Sequence, residues 1–343
     1  MSFQSHYKPP EKNKWLGRVD QDKNSFRFHQ VVQLLNLKDL KVNQGSNQQL
    51  YIPANTDKIA IIGFCCDEGV IRNQGRRGAR QGADAIRSSL ANLSVHFNEK
   101  ETRVFDAGDI FYHDTTPSHD SLLSTQLALS TAIQILLFNG FFPIVLGGGH
   151  EVAFGHYHGI HYYFQHKTKV KSKERLGIIN FDAHFDLRTM DNEQGTSGTS
   201  FFQIAKLVKK RPFPYLCLGI QKGSNTKKLF NTVEELGAQY IFADKINLRQ
   251  KTTLTEIDTF MQDKKYLYLT ICMDVFDSAY APGVSAPASN GLLPQYFFPI
   301  LRAIINSNKI VGVDIAEMSP PHDIDQHTAK LASLILFNLL PSL

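Results

Sequence analysis

The stretch NFDAHFDLR, residues 180–188, sets Asp182, His184 and Asp186 at alternate positions directly after an apolar run. Alternate residues of extended backbone point to one side, so the three side chains share one space if strand geometry persists past the end of the run. Three other apolar runs end in groups of the same kind. IVLGGGH ends in His150, LTICMDVFD in Cys272, Asp274 and Asp277, and VGVDIAEMSP in Asp314 and Glu317. Taken singly, an Asp at a strand end is commonly a helix cap, and a lone His after a glycine turn is more often structural. Together, His150, Asp182, His184, Asp186 and Asp274 make a convergent set of carboxylates and imidazoles, which suits a six-coordinate Mn2+-like ion better than a closed sulfur–nitrogen zinc tetrahedron. So many carboxylates predict two ions sharing an Asp. Ions held about 3.5–4 Å apart bridge a water, lower its pKa toward neutrality and aim hydroxide at an electrophilic carbon. The reaction this implies is metal-assisted hydrolysis, with Glu317 opposite to pair with an amidinium or guanidinium group.

The elements that must position these groups are legible as continuous apolar runs at 58–66, 141–149, 175–184, 213–220, 238–244, 266–275 and 309–318. Such runs suit strands covered on both faces. Helical stretches at 121–138, 151–166, 199–210 and 294–307 fall between them. Strand, helix, strand with right-handed crossovers predicts an α/β fold, a three-layer, doubly wound, mostly parallel sheet. In such sheets ligands gather beyond the carboxyl ends of the strands, where the metal-capable residues lie. RVFDAGDI, within 95–115, reads as an edge strand or a loop. The first 50 residues read as an irregular arm, and 51–343 as a single catalytic domain.

At 343 residues and 42% hydrophobic content the chain can bury a large core. A net charge of +5 without any block of like charges gives a weakly basic surface, not a nucleic-acid stripe. The polar N-terminus lacks the apolar core of a secretory signal, and no apolar run reaches membrane-spanning length, so no membrane partner and a cytoplasmic location are expected. Four cysteines, Cys65, Cys66, Cys217 and Cys272, are too few for a disulfide framework and form no C-x-x-C pair. His156, His158 and His161 scatter round a helix, which favours a solvated or partly packed trio over a second metal site.

In their order, Gly148–His150, Asp182–Asp186, CMDVFDSAYAPG (272–283) and Asp314–Glu317 resemble the G-G-x-H, D-A-H-x-D, D-x-D and D-x-x-E motifs of the ureohydrolase family of arginase and agmatinase. The resemblance covers about residues 58 to 340 and implies an arginase-like fold. It also implies two Mn2+ per subunit, with His150, Asp182 and Asp186 on one ion and Asp182, His184 and Asp274 on the other, while Glu317 faces the amidine. WLGRVD (15–20), DEGVIRNQGRRGARQGADAIR (67–87) and APGVSAP (281–287) are most similar to the branch that hydrolyses N-formimidoyl-L-glutamate to L-glutamate and formamide in histidine degradation. Family members are often oligomers, so a homo-oligomer joins the small-molecule amidine among the implied partners.

Two departures from the family pattern stand out. Cys272 takes the place of the first Asp of D-x-D, a ligand shared by both ions, and soft sulfur suits Mn2+ poorly. The thiol ligates, stands by, or oxidises with Cys65 or Cys66. Ser197 stands where arginases and agmatinases carry a proton-shuttling histidine. That leaves Ser197 as a substrate contact and Asp186 to carry the water's proton to the departing amine. Because formimidoylglutamate bears two carboxylates, its pocket calls for arginines: Arg188 first, with Arg72, Asn73, Arg76 and Arg77 as further candidates. The competing readings are another ureohydrolase, acting on agmatine or a guanidino acid and releasing urea, and a non-catalytic relative that binds a ligand.

Overall fold

Every apolar run named above becomes a strand, and all but the half-exposed edge strand at 239–242 have both faces covered. The computed structural model describes residues 3–22, 25–40, 58–98, 102–113, 121–167 and 176–340. Its strands are β1 (Tyr7–Lys8), β2 (Gln33–Leu34), β3 (Lys58–Cys65), β4 (Arg103–Phe111), β5 (Phe142–Leu146), β6 (Leu176–Phe181), β7 (Tyr215–Ile220), β8 (Gln239–Phe242), β9 (Tyr266–Cys272) and β10 (Ile310–Ala316). They form one sheet in the order β1-β4-β3-β5-β10-β9-β6-β7-β8, with β2 also on β4. Every pairing is parallel except β1 with β4.

Helices cover both faces, giving the three layers. Alternation along each strand divides the core: Ile271 and Met273 join one apolar cluster, while Tyr266 and Tyr268 join the other. The helices Ser121–Phe138, Val152–Lys167, Ser200–Val208 and Pro294–Ile305 fall within three residues of the expected bounds. Among the described residues, Ser121–Phe138 is the one helix long and apolar enough, by length and composition, to cross a membrane. Most of it is buried in the molecule, with Leu129, Ile133 and Leu136 in one cluster with Ile160 and Tyr163 of the next helix.

RVFDAGDI is neither an edge strand nor a loop. It lies in β4, flanked by β3 on one side and by β1 and β2 on the other. Two acids interrupt its apolar run, but each has a buried partner. Arg87 donates to Asp109 at 2.6 Å and to Asp106 at 2.9 Å, Trp15 Nε1 donates to Asp106 at 2.6 Å, and Lys14 reaches Asp109 at 2.7 Å. The arm thus adds strands and ion pairs to the sheet. The boundary drawn at residue 50 lies outside the described residues.

Four adjacent central strands, β5, β10, β9 and β6, run parallel and end together. Their carboxyl ends are where His150, Glu317, Cys272 with Asp274, and Asp182 emerge.

Candidate metal centre

The first component is a turn that only glycine permits. A Cβ on Gly148 would stand 1.6 Å from the Cys66 carbonyl oxygen, so β5 leaves the sheet against the end of β3 with nothing between. That turn delivers His150, 1% exposed, whose backbone N–H donates to Glu317 Oε1 at 2.9 Å. Glu317 holds left-handed backbone at φ +67°, and its own N–H donates to the Gly148 carbonyl at 2.8 Å. Ser285, from the 281–287 loop, donates to Glu317 Oε2.

The His150 ring is oriented from below. Its Nε2 lies 2.9 Å from Thr270 Oγ1, and Thr270 donates to Asp314 Oδ1 at 2.5 Å. Thr270 has therefore spent its proton, so it accepts from Nε2–H and leaves Nδ1 to face the cavity; without a metal, Asp182 and Asp186 hold the ring protonated, well above the ordinary imidazole range. Nδ1 lies 2.9 Å from Asp182 Oδ2 and 3.0 Å from Asp186 Oδ2, yet has no hydrogen-bond partner. Asp314 itself is no ligand: it also accepts from Tyr268 and, at 2.8 Å, faces His156 Nδ1. His156 is wholly buried, which corrects the solvated or partly packed reading for that residue alone, His158 and His161 being half-buried.

β6 ends in the second component. Asp182 is buried, and its Oδ1 accepts from the His184 N–H at 2.8 Å. His184 Nδ1 lies 3.2 Å from Asp274 Oδ2 and 3.5 Å from Asp182 Oδ1. Asp186 adopts φ +48°, a left-handed backbone that turns its carboxylate back toward His150. One buried amide holds this loop between its ligands: Asn225 accepts from the Phe185 N–H at 3.0 Å and donates to the Ala183 carbonyl at 2.9 Å. Tyr215 OH adds a bond to the Phe185 carbonyl at 3.0 Å.

Two groups of metal-capable atoms result, His150–Asp182–Cys272 and Asp182–His184–Asp274, each within 4.8 Å of one another, and Asp182 belongs to both. The donor set fits a pair of divalent cations. Among the described residues His150 Nδ1 and Asp274 Oδ1 are buried without hydrogen-bond geometry to any partner, and buried acids crowd one another. Burial, then Asp182, pushes Asp186 up to about 6. Burial, then Asp274, pushes Glu317 up to about 7, and burial with Asp182 raises Asp274. Cations relieve all three.

Cys272 sits among these metal-capable groups, its thiol held well above the ordinary thiol range by burial and by the nearby Asp182 and Asp274 carboxylates. All four cysteines are free. Cys66 packs on the same face of the sheet as Cys217, beside Glu151, while Cys65 packs on the opposite face near Asp109 and Arg87. Asp277 lies off the site, receiving the Ala279 and Gly291 N–H groups.

A cavity of about 250 Å3, sized for a small molecule, opens on His150, His184, Asp186, Cys272, Asp274 and Glu317. Arg188, Ser197, Asn73 and Arg76 also line it. The exposed Arg188 guanidinium makes no ion pair or hydrogen bond among the described residues. Arg76 is engaged with the Val284 and Ser285 carbonyls at 2.6 and 3.2 Å, and Arg72 with Glu68 at 2.8 Å. Arg72 and Arg77 are not part of the lining. Sequence reasoning passed over Asn225, Thr270, Ser285 and Glu151. Glu151 accepts from the Gly69 N–H at 2.9 Å and is pushed up to about 8 by burial and by Glu317. Thr270 carried a signal, standing two residues before Cys272 on the same side of β9, and Ser285 lies within the APGVSAP stretch.

The arginase family model matches residues 57–341. Formimidoylglutamase of Clostridium tetani (strain Massachusetts / E88) is 43% identical, covering 98% of this chain and 96% of that one. Formimidoylglutamase of Geobacillus thermodenitrificans (strain NG80-2) is 40% identical, covering 97% of each. Among solved structures, Trypanosoma cruzi formiminoglutamase with Mn2+2 superposes with a TM-score of 0.72 at 22% identity, over 90% of this chain and 98% of that one. Formimidoylglutamase from Bacillus subtilis gives 0.71 at 22% identity, over 94% and 95%. These structures share the mostly parallel, helix-covered sheet.

Proposed function

The chain belongs to the arginase family, and on that premise we propose that it is a dinuclear manganese hydrolase cleaving N-formimidoyl-L-glutamate to L-glutamate and formamide, a step of histidine degradation. The observation that carries the reading is the pair of ligand groups sharing Asp182, with Glu317 on the same cavity. The relatives supporting this substrate are formimidoylglutamases alike over nearly the whole chain.

In this reading His150, Asp182 and Asp186 hold one Mn2+, and Asp182, His184 and Asp274 the other. When bound, the two ions supply Lewis acidity that brings a water's pKa toward neutrality. The chain's own residues do the rest. Glu317 receives the amidinium, its carboxylate aimed by the His150 N–H and by Ser285. Arg188 holds a substrate carboxylate at the mouth, and Ser197 lines the wall beside it. Water adds to the amidine carbon, and Asp186 takes its proton and delivers it to the glutamate nitrogen as the carbon–nitrogen bond breaks. One water is consumed, and formamide leaves with the former amidine carbon. The substrate is a small molecule, with no nucleic acid or membrane involved, and the reading places a homo-oligomer in the cytoplasm.

The test is purification under reductant with manganese, then assay against formimidoylglutamate, agmatine, arginine and guanidinobutyrate. Two Mn2+ per chain and formamide from the first substrate alone are the expected result. Urea from any of the others would move the chain to a ureohydrolase activity, and binding without turnover would make it a non-catalytic relative.

A further inference from the structure

One side chain in the metal centre has chemistry unlike its neighbours. Thr270 and Cys272 lie two apart on β9 and so face the same side. Thr270 takes one ring nitrogen of His150, and the Cys272 sulfur stands within 4.8 Å of a ring nitrogen of His150 and an Asp182 oxygen. The thiol is 1% exposed, two residues before Asp274 of the second ligand group. A second observation points to a cation here: buried His150 Nδ1 faces two carboxylates, Asp182 Oδ2 at 2.9 Å and Asp186 Oδ2 at 3.0 Å, without hydrogen-bond geometry to either, so a positive charge belongs among these groups.

We propose that Cys272 is a thiolate ligand at the His150 position, so that the two ion positions differ in kind. The first offers nitrogen, oxygen and sulfur, and the second only nitrogen and oxygen. This rests on the two-ion reading given above. As the ion enters, the S–H bond breaks, its proton leaves to solvent and a metal–sulfur bond forms, with no change of oxidation state. Soft or borderline ions such as Zn2+, Co2+ and Cd2+ gain from the sulfur, whereas Mn2+ gains little. The first position therefore selects the softer ion and the second tolerates Mn2+. A mixed pair forms when both metals are offered.

The experiment loads metal-free, reduced protein with two Co2+ per chain and records the near-ultraviolet thiolate-to-cobalt charge-transfer band. X-ray absorption on the same sample counts sulfur neighbours without any variant. One sulfur on one of the two ions is expected. The band should vanish in Cys272→Ser, and Cys272→Asp should bind two ions while shifting the Zn2+-over-Mn2+ preference at least tenfold toward Mn2+. Two bound ions with formamide turnover but no cobalt–sulfur contact overturns this assignment alone. Fewer than two ions, or no turnover with Mn2+, instead defeats the function proposed above. A band that survives in Cys272→Ser also overturns it, since the sulfur would then belong to another cysteine.

Discussion

Thr270 accepts a hydrogen bond from His150 Nε2 at 2.9 Å and thereby decides which nitrogen of that ring is offered to the proposed ion. The bond works because Thr270 has already given its proton to Asp314 at 2.5 Å, and Asp314 is in turn held by Tyr268 and His156. A chain of buried polar contacts from the sheet interior thus orients the ring of a proposed metal ligand. Removing one link, by Thr270→Val or Asp314→Asn, frees the ring. Second contacts of this kind are worth about 10–100-fold in metal affinity. Calorimetric titration with Mn2+ should show one of the two sites weakened by that factor while the other holds. Two unchanged sites would refute the role given to Thr270.

Arg188 predicts a different pattern. Its guanidinium is exposed at the cavity mouth, away from the ligand groups, with no ion pair among the described residues. A charge-assisted hydrogen bond to a substrate carboxylate is worth about 1.5–3 kcal/mol. Arg188→Leu should therefore raise KM by roughly ten- to a hundredfold, with metal content unchanged and kcat nearly so. A kcat loss with constant KM would place Arg188 in the chemistry and not in binding.

Glu317 should behave in the opposite way. Both its oxygens are engaged and it sits beside the His150 turn, 3% exposed. Glu317→Gln keeps the shape and removes the charge that meets the amidinium. Leaving a buried cation without its partner costs about 3–5 kcal/mol, so kcat/KM should fall by about two to three orders of magnitude. Manganese stoichiometry measured by atomic absorption should stay at two per chain, and its loss would instead make Glu317 a metal ligand.

These contrasts show what a one-dimensional reading could reach. The central strands were legible because both faces are buried, which leaves an unbroken apolar run, and their ends were legible because acids and histidines cannot stay inside such a sheet. β4 was ambiguous because Asp106 and Asp109 interrupt its pattern, and their partners Trp15 and Arg87 lie 91 and 22 residues away. Asn225 was invisible for the same reason. An asparagine starting a turn looks like any other until the fold sets it 40 residues back against the Phe185 amide. His156 was misread because helical spacing says nothing about a buried Asp on the neighbouring strand.

The Arg87–Asp109 pair makes a prediction about acid. Burial alone would raise the Asp109 carboxyl, but Arg87 and Lys14 outweigh it and hold it below the ordinary carboxylate range. A depressed carboxyl contributes stability that is fully present above its unfolded value of about 4 and is lost as pH falls through the folded value. Asp109→Asn leaves Arg87 buried with half its partners, which costs about 3–5 kcal/mol near neutrality. Urea unfolding at pH 7 should show that gap, and the gap should narrow below about pH 4 as Asp109 itself takes a proton. A gap that stays constant into acid would mean the loss is one of packing, not of charge.

Removing the metals should loosen the centre itself. Without cations Asp182, Asp186, Asp274 and Glu317 are left facing one another in a buried space, and burial already pushes Asp186 to about 6 and Glu317 to about 7. A ligand at a hundred times its dissociation constant stabilises the folded chain by about 2.7 kcal/mol. Chelation should therefore lower Tm by on the order of 5 °C, scaling from smaller domains. Added Mn2+ should restore it, and the increment should grow with free Mn2+ concentration as mass action requires. The Asp182→Asn variant isolates the cause, since Asp182 belongs to both ligand groups. It should lose nearly all of the manganese-dependent rise in Tm, whereas Arg188→Leu should keep it. An Asp182→Asn protein that Mn2+ stabilises as strongly as the wild type would show that the ions bind somewhere other than the ends of β5, β6 and β9.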